Sequence, residues 1–220
     1  MSPLRTLREI GESDFMFVKI CGVTNIQDTY ACVENGADAI GLNFYQKSKR
    51  YISFDDAAAI VREVSPYITT VGILVQPTIE DVALAIDVTE VDALQVYEPK
   101  FRLADFDFKK LLYYSVRVRE DGEVKAASRL GADLIFLDSY TKDEYGGTGQ
   151  RANWDEIAKS SVDLSTRFVL SGGLTEENVC EAIRKLKPFG VDTASGVELS
   201  PGKKDHKKIR EFISNAKQCL

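Results

Sequence analysis

Histidine is nearly absent from this chain, the one copy being His206 within KKDHKK. The commonest proton carrier of enzymes is thus missing elsewhere, and His206 itself reads as a solvated surface residue. Any general base is therefore a carboxylate, a thiolate or a lysine. Cysteine is scarce too. Cys21, Cys32, Cys180 and Cys219 are widely spaced with no C-x-x-C pair, so neither a zinc site nor a disulfide framework is indicated and reduced thiols are expected. No apolar run approaches the ~20 residues needed to span a bilayer. The opening MSPLRTLREIGESD lacks the apolar core of a signal peptide. A basic surplus is also missing: 28 Lys and Arg against 34 Asp and Glu leave a net charge of −6, which gives no nucleic-acid footprint. The expectation is a cytoplasmic protein, monomer or homodimer, with neither nucleic acid nor membrane as partner.

What is present alternates. From Phe15 onward short β-rich runs are followed by amphipathic stretches, the pattern of βα units and a parallel sheet. Strands are predicted over FMFVKI (15–20), AIGLNF (39–44), ITTVGILV (68–75), ALQVY (93–97), LLYYSVRV (111–118), DLIFLD (133–138), RFVLSG (167–172) and VDTAS (191–195). Helices are predicted over 26–35, 55–64 and 78–87, with a last one from Lys203 to Gln218. The segment between strands 4 and 5, EPKFRLADFDFKK, is too short and aromatic for a proper helix. Residues 1–14 read as a tail outside the fold, and 15–220 as the folded unit. A weak repeat opens the even strands: ENGADAIGLNF, TEVDALQVY, RLGADLIFLD and PFGVDTASG each carry an Asp before or within an apolar run. Alternate strands with a shared entry signature favour a closed (β/α)₈ barrel over an open sheet, and 220 residues suffice for one. Gly-x-Asp as ordinary turn chemistry is the other reading.

In such a barrel the reactive groups sit at the carboxyl ends of strands. Strand 1 ends at Cys21, where Gly22 and a Thr-rich loop expose the thiol and the amides of the next helix could lower its pKa. Cys32, Cys180 and Cys219 read as structural or incidental. Strand 6 ends at Asp138 after a wholly apolar run; a carboxylate so placed is either an anchor for the following loop or a general acid with a pKa raised by burial. KSKR (47–50) is either a solvated charge run or, with Arg50 inward, a fork for a carboxylate or phosphate. Glycine loops follow strands 6, 7 and 8: YGGTG (145–149), SGG (171–173) and SGVE (195–198). The last two suit a phosphate cradle of backbone amides. YGGTG, with Gly147 at its centre, suits a lid over a substrate.

KICGVTN, GADAIGLNFYQKSKRYIS, LDSYTKDEYGGTGQ, VLSGGLTEENV and VDTASGVELSPGKKDHKKI, in that order from Phe15 to about Lys217, resemble the phosphoribosylanthranilate isomerase family. The resemblance implies a TIM barrel of tryptophan biosynthesis. It implies an Amadori rearrangement of N-(5-phosphoribosyl)anthranilate to 1-(2-carboxyphenylamino)-1-deoxyribulose 5-phosphate, with no metal or organic cofactor. It assigns Cys21 as general base at C2′ and Asp138 as general acid at the furanose ring oxygen. It places the anthranilate carboxylate on Arg50 and phosphate near Gly172, Gly173, Ser195 and Gly196, with Asp192 near the substrate in a role left open. One departure stands out. The family usually has L-Q-L-H-G at strand 4, where this chain has LQVYE (94–98), losing the histidine and the glycine. Other readings are a neighbouring barrel such as indole-glycerol-phosphate synthase, which would want a lysine acid, and a phosphate-metabolite binder without catalysis. A pure binder needs neither Cys21 nor Asp138.

Overall fold

The computed structural model describes residues 15–102, 110–118, 132–139, 154, 157 and 167–219. Eight parallel strands close into a barrel in chain order: β1 (Phe17–Cys21), β2 (Ala39–Asn43), β3 (Thr69–Val75), β4 (Ala93–Tyr97), β5 (Leu111–Val118), β6 (Leu134–Ser139), β7 (Phe168–Leu170) and β8 (Gly190–Thr193). Around them lie α1 (Ile26–Glu34), α2 (Phe54–Val64), α3 (Ile79–Thr89), α4 (Val179–Leu186) and α5 (His206–Gln218). This is the α/β barrel that the alternating pattern predicts. The 1–14 tail, residues 103–109 of the segment joining strands 4 and 5, and the YGGTG loop with Gly147 lie outside the described residues.

Local sequence explains where the helices start and how they face. Asn25, Ser53, Thr78 and Asp205 each cap a helix by accepting a backbone N–H with the side chain, a contact typically worth about 1 kcal/mol. In α2 the buried Ala57, Ile60, Val61 and Val64 fall at i, i+3, i+4 and i+7, so one stripe meets the strands. The last helix is shorter than expected. Asp205 caps it, and Lys203 and Lys204 form β10 of a hairpin with β9 (Glu198–Ser200). Apolar side chains pack in two places. One layer lies between strands and helices; a smaller one, including Phe17, Val71, Tyr113, Phe136 and Val169, fills the barrel floor.

The Asp repeat has a structural meaning in three of its four copies. Asp38 accepts the Val18 N–H at 2.8 Å, and its own N–H donates to the Val18 carbonyl at 2.9 Å. Asp92 does the same with Thr70, at 2.9 and 3.0 Å, and Asp133 with Leu112, at 2.8 Å in both directions. Each is a two-way clasp from the residue before an even strand to the second residue of the preceding odd strand. The fourth copy is out of step. Phe189 stands at the clasp position, its N–H bonded to the Phe168 carbonyl at 2.9 Å, while Asp192 sits three residues further on, inside β8.

One cysteine expectation is corrected. Cys180 in α4 and Cys219 at the end of α5 are joined in a disulfide, with Cα atoms 5.4 Å apart. They are 39 residues apart in sequence and belong to no recognisable framework. The packing of α4 against α5 brings them together, and spacing alone does not reveal that.

Asp92→Ala strips a carboxylate from both the Thr70 N–H and the Thr70 hydroxyl. A loss of about 2 kcal/mol in urea unfolding is expected, and a loss under about 0.5 would make the clasp incidental. Opening the Cys180–Cys219 bridge frees a long loop, which the chain-entropy argument values at about 3–4 kcal/mol. Thermal unfolding with and without dithiothreitol should therefore differ by roughly ten degrees.

Candidate active site

At the carboxyl ends of the strands an open cleft encloses about 540 Å³ of non-protein space. It gathers most of the residues singled out from sequence: Cys21, Arg50, Asp138, Asp192, Gly172, Gly173 and Ser195 all line it. Gly196 follows Ser195 and is packed so tightly that a Cβ there would lie 1.9 Å from the Leu174 carbonyl oxygen. Gly172 and Gly173 have φ of 87° and 65°, a backbone region that L side chains avoid. Both loops thus need glycine for the course of their main chain, and Gly172, Gly173 and Ser195 line the cleft.

Side chains two apart on a strand share a face, so Lys19 and Cys21 both point into the barrel from β1. Lys19 is fully buried, and its Nζ is 2.9 Å from Asp192 Oδ1 on the neighbouring strand. Ser171 Oγ holds the other oxygen of Asp192 at 3.2 Å. The ammonium also sits 5.2 Å from the centre of the Phe136 ring. Gly41 makes room for this arrangement: a Cβ there would lie 3.1 Å from both Cys21 Sγ and Lys19 Nζ. Burial lowers the pKa of Lys19, but the Asp192 charge and the adjacent Cys21 outweigh it and the net shift is upward.

The thiol follows a different balance. Burial pushes Cys21 up, Lys19 pulls it down, Asp192 pushes it up again, and Lys204 and Arg50 pull down; the net shift is upward. The expected lowering by helix amides is thereby overturned. Desolvation wins in the unliganded cleft, and the cations around the thiol only limit the rise.

Arg50 is turned inward and 8% exposed, but it already has a carboxylate partner in Glu198. Its Nε and Nη2 donate to Glu198 Oε1 and Oε2 at 2.8 and 2.7 Å. Lys204 Nζ reaches Glu198 Oε1 as well, at 3.0 Å, together with the carbonyls of Cys21 and Ala194. Burial alone would raise the Glu198 carboxyl, but Arg50 and Lys204 hold it below its ordinary value. Lys204 shares that single carboxylate, so its burial is not fully offset and its pKa falls. His206 is half exposed, as a surface residue should be, yet its Nε2 lies 2.8 Å from Asp28 Oδ1.

Asp138 is 3% exposed, and its Oδ2 accepts the Tyr97 hydroxyl at 3.1 Å. Lys19, Glu198, Lys204 and Tyr97 are site residues that sequence reasoning missed. A lysine two residues before Cys21, inside an apolar strand, was a signal for the first. For Glu198 and Lys204 the hairpin contact is invisible until the chain folds. Among the described residues, no three His, Cys, Asp or Glu side chains are grouped as metal ligands would be.

A closed barrel that brings a thiol on β1 and a carboxyl on β6 to one cleft, with glycine loops after β7 and β8, has the frame of a (β/α)₈ enzyme with its site at the carboxyl ends of the strands. Residues 18–215 match the family model described as N-(5′-phosphoribosyl)anthranilate (PRA) isomerase. The chain belongs to that family and is an isomerase. It is 38% identical over 201 residues to the N-(5′-phosphoribosyl)anthranilate isomerase of Pelobacter propionicus, covering 91% of this chain and 95% of the relative. The crystal structure of phosphoribosyl anthranilate isomerase from Thermotoga maritima is similar with a TM-score of 0.81 at 37% identity, covering 93% of this chain and all of that one. A further isomerase structure, in complex with reduced 1-(o-carboxyphenylamino)-1-deoxyribulose 5-phosphate, has a TM-score of 0.78 at 36% identity and covers 93% of this chain and 100% of that one.

The charges around Cys21 give a signed expectation. Asp192 raises the thiol pKa, so Asp192→Asn should shift the pH dependence of Cys21 alkylation by iodoacetamide to lower pH. In the unchanged protein the midpoint should lie above the ~8.5 of a free thiol. A midpoint below that value, or an upward shift in the variant, would contradict the balance described.

Proposed function

We propose that this isomerase converts N-(5-phosphoribosyl)anthranilate to 1-(2-carboxyphenylamino)-1-deoxyribulose 5-phosphate, with Asp138 as general acid and Cys21 as general base. The observation that carries the reading is the meeting of these two groups in one cleft beside the β7 and β8 glycine loops. The Asp138 proton passes to the furanose ring oxygen while the C1′–O bond breaks and the amine lone pair forms a C1′=N iminium. The Cys21 thiolate then takes the proton from C2′. That electron pair becomes a C1′=C2′ double bond, and the C=N pair returns to nitrogen. Ketonisation at C2′ with protonation at C1′ completes the isomerisation without any change of redox state.

A thiol raised by burial needs help to ionise. The iminium supplies it, since a positive charge forming next to C2′ favours the thiolate at the moment a base is required. Lys19, Lys204 and Arg50 add to that field from the protein side. Arg50 lines the cleft while its Nε and Nη2 bond Glu198, and the reading gives it the anthranilate carboxylate. Phosphate is assigned to the main chain at Gly172, Gly173, Ser195 and Gly196. Asp192, ion-paired to Lys19, fixes that cation beside the thiol, and this is the role we assign to it. No helix among the described residues is long and apolar enough to cross a membrane, and we place the reaction in the cytoplasm.

Loss of substrate fluorescence follows turnover directly. Wild type should convert phosphoribosylanthranilate, and Cys21→Ala and Asp138→Asn should each lose about 10²- to 10⁴-fold in kcat, the usual worth of a general acid or base. An undiminished Cys21→Ala variant would remove the proposed base, and tight phosphate binding without turnover in the wild type would make the chain a binder.

A further inference from the structure

We propose that Tyr97 is a positioning residue for the general acid, orienting the Asp138 carboxyl group and deciding which of its oxygens delivers the proton. The inference rests on the assignment of Asp138 as acid and gives that acid a partner.

Tyr97 is the last residue of β4 and 6% exposed. Its hydroxyl meets Asp138 Oδ2 at 3.1 Å. A neighbour sets the direction of that hydrogen bond. The Gln95 amide nitrogen lies 2.7 Å from Ser115 Oγ and 3.5 Å from the phenol oxygen. An amide nitrogen only donates, so the phenol oxygen receives on that side and its own proton points at Asp138. Burial and then the Asp138 charge push the phenol pKa well above its ordinary value, so Tyr97 keeps its proton. With Oδ2 facing an O–H donor, the proton of the neutral acid resides on Oδ1. Oδ1 is then the oxygen that protonates the substrate.

The end of β4 is locked to hold this geometry. Gln76 donates its backbone N–H to the Tyr97 carbonyl at 2.7 Å and its side-chain amide to Glu98 Oε2 at 3.0 Å. Glu98 has a φ of 46°, a left-handed conformation at the place where the L-Q-L-H-G pattern has glycine. The departure at 94–98 thus keeps the turn and exchanges a histidine for a phenol aimed at the acid.

The test uses the full chain with phosphoribosylanthranilate and compares wild type, Tyr97→Phe, Asp138→Asn and the double variant. Tyr97→Phe keeps the ring and removes one hydroxyl. We expect kcat to fall about tenfold with KM changed less than about twofold, the mark of an interaction that matters during the reaction rather than in binding. The limb of the kcat/KM pH profile that reports Asp138 should move upward, because a carboxyl that loses a donor is easier to protonate. Limb position does not depend on the folded fraction, so a destabilised variant still answers the question. Adding Tyr97→Phe to Asp138→Asn should cost nothing further. Full activity in Asp138→Asn would overturn the acid assignment and this inference together. If Asp138→Asn is inactive while Tyr97→Phe leaves kcat and the limb unmoved, the inference alone fails. It also fails if Tyr97→Phe costs the same in both backgrounds.

Discussion

Where the first and last strands of the barrel meet, a fully buried ammonium faces a buried carboxylate. Lys19 and Asp192 are register partners across the β1–β8 seam and an ion pair at 2.9 Å. Breaking such a pair by removing one member leaves an isolated charge in a dry interior, a penalty of about 3–5 kcal/mol. The ring of Phe136 and the hydroxyl of Ser171 share in solvating the two charges. This contact cements the closure of the sheet and fixes a cation next to Cys21. Gly41 is bare because that spot is filled by a thiol and an ammonium, and Asp192 cannot serve a clasp at the floor because it is needed higher up.

The chemistry inherits a tension from this arrangement. Burial opposes ionisation of Cys21, and three cations oppose burial. In the mechanism we propose, the thiol stays neutral until a positive intermediate lies beside it, and a neutral thiol is the less reactive form toward oxidants and alkylating agents. A second ionic group, Arg50–Glu198–Lys204, braces the rim, with Lys204 tying the main chain after β1 to that after β8. The seam is therefore closed twice, once inside the barrel and once at its mouth.

Much of this was legible in the chain because it depends on period and position. Alternating β and amphipathic runs mark eight strands within a residue or two, and strand ends place Cys21 and Asp138 in the cleft, whereas Asp192, inside β8, was singled out by the family resemblance alone. What stayed hidden depends on partners distant in sequence. Glu198 meets Arg50 across 148 residues, Lys204 reaches back to β1, and Cys180 finds Cys219 through helix packing. The Asp repeat was visible as a pattern, but its fourth copy looked equivalent to the others and does a different job. Tyr97 read as a loss from the strand-4 motif; only the geometry shows a hydroxyl directed at the acid.

The three clasps also polarise the molecule. Asp38, Asp92 and Asp133 put carboxylates at the amino-terminal end of the barrel, while at the mouth Lys19, Arg50 and Lys204 stand against Asp138, Asp192 and Glu198. Among the described residues, the clasp carboxylates thus lie at one end of the cylinder and the cations that act on Cys21 toward the other. In a chain of net charge −6, the positive charge of the cleft is therefore local, three cations gathered around one thiol.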